Sequence, residues 1–181
     1  MSDTKPFDRT VADAVLTILR RTRQVRQFTD EPVSDEDLER ILEVARWSGS
    51  ATNRQPWIFI VVRERASLTR LAELAQHAKH VAGAAVAIAI AMGGDNADWD
   101  AYDEGRAAER ILVAATALGL GAGIGWATGP ARSQVAEFLG LTPPEFVRTI
   151  ISVGHSTEAA KQPKSAPGMA RRPLSDLVRV L

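Results

Sequence analysis

The sequence predicts an α/β or α+β fold in which helices cover both faces of a sheet. Short apolar segments alternate along the chain with longer segments of helical period. Every residue from Ala84 to Met92 is apolar, which is typical of a strand buried on both faces. The length of 181 residues suits one domain with a substantial core. We therefore expect a single domain spanning residues 1–181.

Five segments have the helical period. The first is Val11–Leu19, which is followed by a basic stretch from Arg20 to Arg26. The second runs from Ser34 to Ser48, and Ser34 is a suitable cap because three acidic residues follow it in the first turn. The remaining predicted helices are Ser67–Gln76, Gly105–Leu118 and Ser133–Leu139. The many small residues of Gly105–Leu118 would permit close approach of another helix, within the chain or across a dimer.

Three segments are predicted strands, namely Ile58–Val62, Ala84–Met92 and Arg148–Val153. The segment Gly93–Trp99 is predicted to be the most mobile loop, and residues 158–168 read as a linker.

Alternating glycines from Gly119 to Gly125 do not form a dinucleotide fingerprint. They follow a predicted helix instead of a strand, and Ile124 stands where the third glycine is required. We expect backbone here to approach a flat ligand closely, since glycine presents no side chain.

Composition narrows the class of function. A net charge of zero argues against nucleic acid as the main partner. The absence of cysteine excludes disulfides, thiolate nucleophiles and cysteine-ligated metals. No apolar stretch is long enough to span a bilayer and no leader pattern is visible, so we expect a cytoplasmic location and no membrane partner. No Gly-x-Ser-x-Gly elbow occurs, and His77 and His80 lack a metal-binding pattern, so neither a hydrolase nor a metal site is predicted.

Four features together suggest a ligand with a phosphate at one end and a flat, hydrogen-bonding group at the other. Two are cationic clusters, Arg20–Arg26 and Arg171–Arg172, which match phosphate well. The others are the polar loop Ser50–Trp57 and the glycine segment. Taken singly, each has a plainer interpretation, as a solvated basic face or a surface loop anchored by its tryptophan. FMN has the shape that all four would suit.

These segments resemble the FMN-dependent nitroreductase family over nearly the whole chain. Residues 23–28 (Arg-Gln-Val-Arg-Gln-Phe) are similar to its opening Arg-Ser/Thr-x-Arg/Lys-x-Phe segment. Residues 49–57 resemble its most specific motif, Pro-Ser-x-x-Asn-x-Gln-Pro-Trp. The resemblance implies a sandwich with a mostly antiparallel central sheet flanked by helices. It also implies an intertwined homodimer with FMN at the interface, where the motif loop reaches the flavin bound mainly by the other subunit.

The resemblance also implies which residues bind FMN. The basic residues would hold the phosphate and ribityl chain, His77 and His80 would face the polar edge of the ring, and the glycine segment would lie against the ring. The implied set is Arg23, Gln24, Arg26, Ser50, Ala51, Asn53, His77, His80, Ile124, Gly125, Trp126, Arg171 and Arg172. No side chain is identified as an acid or base, because flavin N5 carries the chemistry.

Three departures from the family pattern bear on the flavin. Gln24 replaces Ser or Thr, Gly49 replaces Pro, and His77 and His80 replace the usual Asn and Lys. A positive charge at the ring edge would stabilise reduced flavin, so a titrating histidine predicts pH-dependent activity.

The activity implied by resemblance is ping-pong reduction of nitroaromatics, quinones or related acceptors, with NAD(P)H as hydride donor. Trp99 and Tyr102 are candidates to shape the acceptor site or simply to anchor their own loop. Alternatives are an enzyme that fragments flavin to 5,6-dimethylbenzimidazole, use of a deazaflavin or another donor, and a non-catalytic flavin-sequestering module. A cofactor-free interaction protein is the plainest alternative.

Overall fold

The computed structural model describes residues 7–93, 96–162 and 171–180. Its core is a sheet of four strands in the order β1-β2-β4-β3, and every neighbouring pair is antiparallel. The strands are β1 (Trp57–Val62), β2 (Val86–Met92), β3 (Gly121–Trp126) and β4 (Phe146–Gly154). Because the sheet is antiparallel, the fold is α+β, which confirms one of the two predicted classes.

Helices cover both faces of the sheet. They are α1 (Arg9–Arg21), α2 (Asp35–Arg46), α3 (Arg65–Leu74), α4 (Ala97–Ala117), α5 (Ala131–Phe138) and the single turn α6 (Glu158–Lys161). Short 3₁₀ turns occur at Ala51–Asn53, Lys79–Gly83 and Leu174–Asp176. No helix among the described residues is both long and apolar enough to cross a membrane.

The two faces of β2 pack into two separate clusters, as its uninterrupted apolar sequence predicts. Its large residues (Val86, Ile88, Ile90 and Met92) pack with residues of α2 and α4. Its alanines (Ala87, Ala89 and Ala91) pack with residues of α3 and α5. All seven residues are buried. The small alanine side chains allow the second helix layer to lie close to the sheet.

Side-chain caps determine where two helices begin. Ser34 Oγ accepts a hydrogen bond from the Asp37 N–H at 3.0 Å, which confirms the predicted cap of α2. The carboxylate of Glu64 accepts from the N–H groups of Ala66 and Ser67 at 2.9 and 2.6 Å. Helix α3 therefore begins at Arg65, two residues before the predicted start.

Helix α4 corrects the prediction of a mobile loop at Gly93–Trp99. Asn96 caps the helix by accepting from the N–H groups of Asp98 and Trp99, so Ala97–Trp99 are helical. Gly94 and Asp95 lie outside the described residues. The predicted start at Gly105 was eight residues late because acids occupy the inward positions of the first turns. These inward acids are Asp100, Asp103 and Glu104, and they continue the spacing of the apolar inward residues that follow.

Strand β3 was not predicted. Glycine is disfavoured in strands, so a segment with Gly at alternate positions resembles a loop from sequence alone. The strand forms because it pairs along its length with β4, from Gly121 opposite Gly154 to Trp126 opposite Thr149.

Glu104 is a buried acid between α4 and the sheet. It is 2 % exposed, and its Oε2 lies 3.5 Å from Nε of Arg148 on β4. Burial raises the pKa of Glu104 above its ordinary value of 4.5, and the Arg148 charge and hydrogen bonding to Thr149 only partly oppose this. The folded chain therefore holds the Glu104 proton more tightly than the unfolded chain does.

We predict that Glu104→Gln raises the free energy of unfolding at pH 8, because the glutamine carries no charge to bury. In the wild type, the tighter binding of the Glu104 proton adds to the free energy of unfolding. This addition is complete below the ordinary pKa of 4.5 and is lost as the pH rises through the raised pKa of the folded state. Urea unfolding of both proteins between pH 4 and 8 measures this. The two curves should converge at pH 4, and a wild type that is the more stable protein at pH 8 would contradict the prediction.

Candidate functional site

The segment from Arg23 to Phe28 passes the outer edge of β3 at Gln24 to Arg26 and then pairs, at Gln27 and Phe28, with residues that follow β4. The Val25 N–H donates to the Ala122 carbonyl at 2.8 Å, and Gln24 forms a parallel bridge with Ala122. The side chain of Gln24 accepts from the Ile124 N–H at 2.7 Å. The glutamine that departs from the expected Ser or Thr thus hydrogen bonds to the very strand expected to face the flavin.

The glycines of β3 make this close packing possible. A Cβ on Gly123 would meet the Val25 carbonyl oxygen closer than 3.0 Å, and a Cβ on Gly121 would meet the Val25 side chain. A Cβ on Gly125 would meet Ala78 in the same way. The space that we expected a flat ligand to use is therefore filled, on the glycine side of the strand, by the chain's own residues. Trp126, at the end of the strand, is exposed.

A cleft of about 490 Å³ opens beside this strand. It is lined by Arg26, Gln76, His77, Lys79 and His80. The Arg26 guanidinium donates to the Ile124 carbonyl at 3.4 Å. His77 and Trp126 exchange backbone hydrogen bonds at 3.2 and 3.4 Å, which holds the cleft against the end of β3. The structure thus brings together one arginine and both histidines of the predicted set, next to the glycine segment that forms β3.

The hydrogen bonds of His80 define its tautomer. Ser152 Oγ donates its only proton to the Gly123 carbonyl at 3.1 Å, so it accepts from His80 Nδ1 at 2.8 Å. Burial lowers the pKa of His80 below 6.5, and the nearby charge of Arg26 lowers it further. We therefore assign a neutral imidazole with its proton on Nδ1 at neutral pH. Arg26 then supplies positive charge to the cleft beside His80.

The other predicted cationic residues lie away from the lining of this cleft. Arg23 donates from Nη1 to the carbonyls of Arg20 and Thr22 at 2.6 and 2.8 Å, so it caps the C-terminus of α1. Arg171 and Arg172 are exposed on the C-terminal segment. Arg172 donates to the Asp176 carbonyl at 3.3 Å.

The Ser50–Trp57 loop has an unusual backbone. Thr52, Asn53 and Gln55 have φ angles of 49°, 59° and 51°, in the left-handed region that favours glycine. Each such residue costs roughly 1 kcal/mol or more unless its surroundings hold it. Ser50 Oγ accepts from the Gln55 N–H at 2.9 Å, which closes the loop on itself.

Two buried acids of α4 hold this loop to the rest of the chain. Arg54 Nη2 lies 2.9 Å from Asp100 Oδ1 and 3.3 Å from Asp103 Oδ2. Asp103 also accepts from the Ala51 N–H at 3.2 Å. The sequence analysis missed all three side chains because a charged pair 46 to 49 residues apart leaves no local pattern.

A second cleft, of about 330 Å³, lies between the loop and α4. Its lining includes Ser50 and Ala51 of the loop, and Trp99 and Tyr102 of α4. The indole of Trp99 is 50 % exposed and Tyr102 is 79 % exposed. These aromatic residues are therefore presented by a helix and not by a mobile loop. Gly49 replaces the expected proline, and a Cβ there would meet only the guanidinium of Arg106, the movable end of a flexible side chain.

One chain does not bring the two halves of the predicted site together. The loop leads into β1, whereas the arginine–histidine cleft adjoins β3, and these strands form opposite edges of the sheet. Three strand spacings separate the edges, or about 14 Å. Within one chain, the sheet therefore separates the loop from the arginine–histidine cleft.

Comparison with known proteins identifies relatives of this chain. The model of the nitroreductase family matches residues 19–79 and 76–155. A protein of Archaeoglobus fulgidus, assigned as an NADH dehydrogenase/NAD(P)H nitroreductase, is 32% identical over 147 residues. That match covers 77% of this chain and 84% of the relative.

Solved structures show the same fold. An FMN-dependent nitroreductase from Clostridium difficile R20291 superposes with a TM-score of 0.75 at 28% identity, covering 79% of this chain and 88% of that one. A protein of Desulfovibrio desulfuricans assigned as a nitroreductase was solved in complex with FMN. It superposes with a TM-score of 0.73 at 33% identity, covering 91% of this chain and 94% of that one.

We predict that Gly123→Ala lowers the free energy of unfolding by about 2 kcal/mol or more, because the new methyl must displace the Val25 carbonyl. Gly105→Ala is the matched control, since a Cβ there meets nothing within 4 Å and the residue lies within α4. The control should be stabilised by about 0.5–1 kcal/mol. Chemical denaturation measures both variants, and equal stability of the two would contradict the packing described for β3.

Proposed function

Because the chain belongs to the nitroreductase family, we propose that it is an FMN-dependent oxidoreductase with NAD(P)H as hydride donor. Its acceptor would be a nitroaromatic, a quinone or a related small conjugated molecule, and donor and acceptor would use the same site in turn. The observation that carries the proposal is the cleft of Arg26, His77 and His80 beside β3. It provides a cation and hydrogen-bonding groups next to the strand that the resemblance places against the ring.

The residues of this cleft fit the polar edge of an isoalloxazine. Arg26 would supply the positive charge that the family usually obtains from lysine, since the lowered pKa of His80 keeps that imidazole neutral. His80 is held by Ser152 through Nδ1 and its Nε2 is buried, so it would pack against the ring edge without adding charge. Bound FMN would supply the hydride-accepting atom, N5. The chain's own residues would bind, orient and shield the ring.

Ile124 is proposed to lie against the ring with Gly125 and Trp126. In the structure its N–H group donates to Gln24 Oε1, so a ligand that used this donor would first have to displace the Gln24 amide. The exposed indole of Trp126 offers apolar surface at the same strand end.

Arg23, Arg171 and Arg172 are proposed to bind the FMN phosphate. Guanidinium groups bind phosphate by paired hydrogen bonds, and all three side chains are exposed. Arg23 Nη1 already donates to backbone carbonyls at the end of α1, so its side chain is partly ordered. Binding of a phosphate by Arg23 would therefore cost less conformational entropy.

We propose that the active form is a homodimer with FMN at its interface. Helix α1 has no buried residue, and four of its large apolar side chains are exposed: Val11, Val15, Leu16 and Leu19. An amphipathic helix whose apolar face is uncovered in one chain is suited to burial against a second. A dimer would also bring the Ser50–Trp57 loop of one chain, with Asn53, to the Arg26 cleft of its partner.

The function is tested by anaerobic visible spectra of the FMN-supplemented protein before and after adding NADH or NADPH. We expect retained flavin that bleaches with at least one nucleotide and regains colour with a nitroaromatic or a quinone. Retained flavin that neither nucleotide reduces would refute the NAD(P)H-dependent activity and favour a sequestering module or another donor. Protein that retains no flavin would refute the cofactor.

We predict that a dimer of two different variants regains one intact FMN site, because each proposed site takes residues from both chains. Arg26→Gln and Asn53→Ala damage opposite halves of the proposed site, and each should weaken FMN binding about tenfold by removing one hydrogen-bonding partner. A mixed dimer of these two variants carries one intact site and one doubly altered site. It should bind one FMN per dimer with the wild-type dissociation constant, about tenfold lower than that of either variant alone.

The measurement uses two affinity tags to purify the mixed dimer, followed by titration with FMN. Arg40→Gln is the matched control for loss of a guanidinium, because Arg40 is exposed on α2 and pairs with Glu36 across one helical turn. A mixed dimer that binds no better than the two single variants would show that each site lies within one chain.

A further inference from the structure

The conformation of the Ser50–Trp57 loop depends on the buried charges beneath it. Arg54 lies within the loop, between Asn53 and Gln55, both of which have positive φ. Its guanidinium reaches two acids of α4, Asp100 and Asp103, that are 0% and 3% exposed. Charged hydrogen bonds to buried partners are the strongest contacts available to a polar loop.

One of these acids, Asp103, holds the backbone of the loop as well as the Arg54 side chain. Both carboxylate oxygens of Asp103 accept from the Ala51 N–H, at 3.3 and 3.2 Å. The loop is therefore attached to α4 at two points, three residues apart, that enclose Thr52 and Asn53. Because left-handed backbone is unfavourable for these residues, it persists only while both attachments are made.

Arg54 also joins the loop to the aromatic wall of the second cleft. Its guanidinium carbon lies 5.5 Å from the ring centroid of Trp99, in a cation–π arrangement. Asp98 and Asp103 line that cleft beside Trp99. A change at Arg54 would thus alter the loop and the cleft wall together.

We propose that Arg54, with Asp100 and Asp103, is a latch that holds the Ser50–Trp57 loop in the conformation that receives the flavin. Arg54 is a positioning residue: it acts through the loop and does not itself touch the cofactor. The resemblance assigns flavin contacts to Ser50, Ala51 and Asn53 but none to Arg54. The Arg54 side chain is directed at α4. The proposal rests on the proposed function for the identity of the ligand, but not for the existence of the latch.

A double-mutant cycle separates a latch from a direct contact. The variants are Arg54→Met, Asp103→Asn and the two combined, and Arg54→Lys restores the charge without the forked geometry. Arg70→Met is the matched control, since Arg70 forms an exposed ion pair with Glu73 at 2.9 Å on α3. Hydrogen exchange of residues 50–57 is measured without FMN, and the FMN dissociation constant is measured separately.

If Arg54 acts as this latch, Arg54→Met and Asp103→Asn should each accelerate amide exchange in the loop about tenfold. Each should also raise the FMN dissociation constant about tenfold. The combined variant should lose no more than the worse single variant, because either change opens the same latch. Arg54→Lys should recover part of both effects, and Arg70→Met should change neither. Exchange in α3 reports whether a variant is folded throughout.

Three results would overturn the proposal. One is unchanged loop exchange in the folded Arg54 variants. A second is weaker FMN binding by Arg54→Met without faster loop exchange, which would indicate a direct contact. The third is a combined variant whose losses multiply. A wild type that retains no FMN would refute the proposed function instead, and the loop exchange would still decide whether the latch exists.

Discussion

The close contact between the Arg23–Phe28 segment and β3 is the constraint on which the first half of the site depends. The Val25 carbonyl lies so near Gly123 that no other residue fits there. This contact turns the chain after α1 along the edge of the sheet, where Gln24 and Arg26 both hydrogen bond to Ile124. Gly121 and Gly123 therefore make room for the segment that carries Arg26.

The second half of the site depends on charges buried in α4. Helix α4 places acids at inward positions where apolar residues would stabilise the fold more simply. Asp100 and Asp103 are matched by Arg54 and a backbone N–H, whereas Glu104 is matched only loosely by Arg148. Asp100 and Asp103 hold the strained Ser50–Trp57 loop in place through Arg54 and the Ala51 N–H. Their burial therefore stabilises the conformation of this loop. The raised pKa of Glu104 shows the cost of burying an acid without such a match.

The two halves lie at opposite edges of one sheet, and this arrangement connects the fold to its proposed assembly. A single chain presents an arginine–histidine cleft without the loop, and a loop without the cleft. It also presents helix α1, whose large apolar side chains Val11, Val15, Leu16 and Leu19 remain about half exposed. Pairing two chains would cover those side chains and complete two sites at once. Both features fit the proposed homodimer.

The sequence by itself narrowed the fold class to α/β or α+β, and it determined the helices with regular apolar spacing, the doubly buried strand β2, and the segments that resemble a flavin-binding family. These follow from periodicity and local motifs, which are written in neighbouring residues. It left β3 and the first turns of α4 unrecognised, because Gly in a strand and acids on an inward helix face contradict local propensity. Only tertiary structure decided that Ser152 sets the His80 tautomer and that Asp100 and Asp103 hold Arg54. Those contacts join residues dozens of positions apart, so their energies depend on burial that no local pattern records.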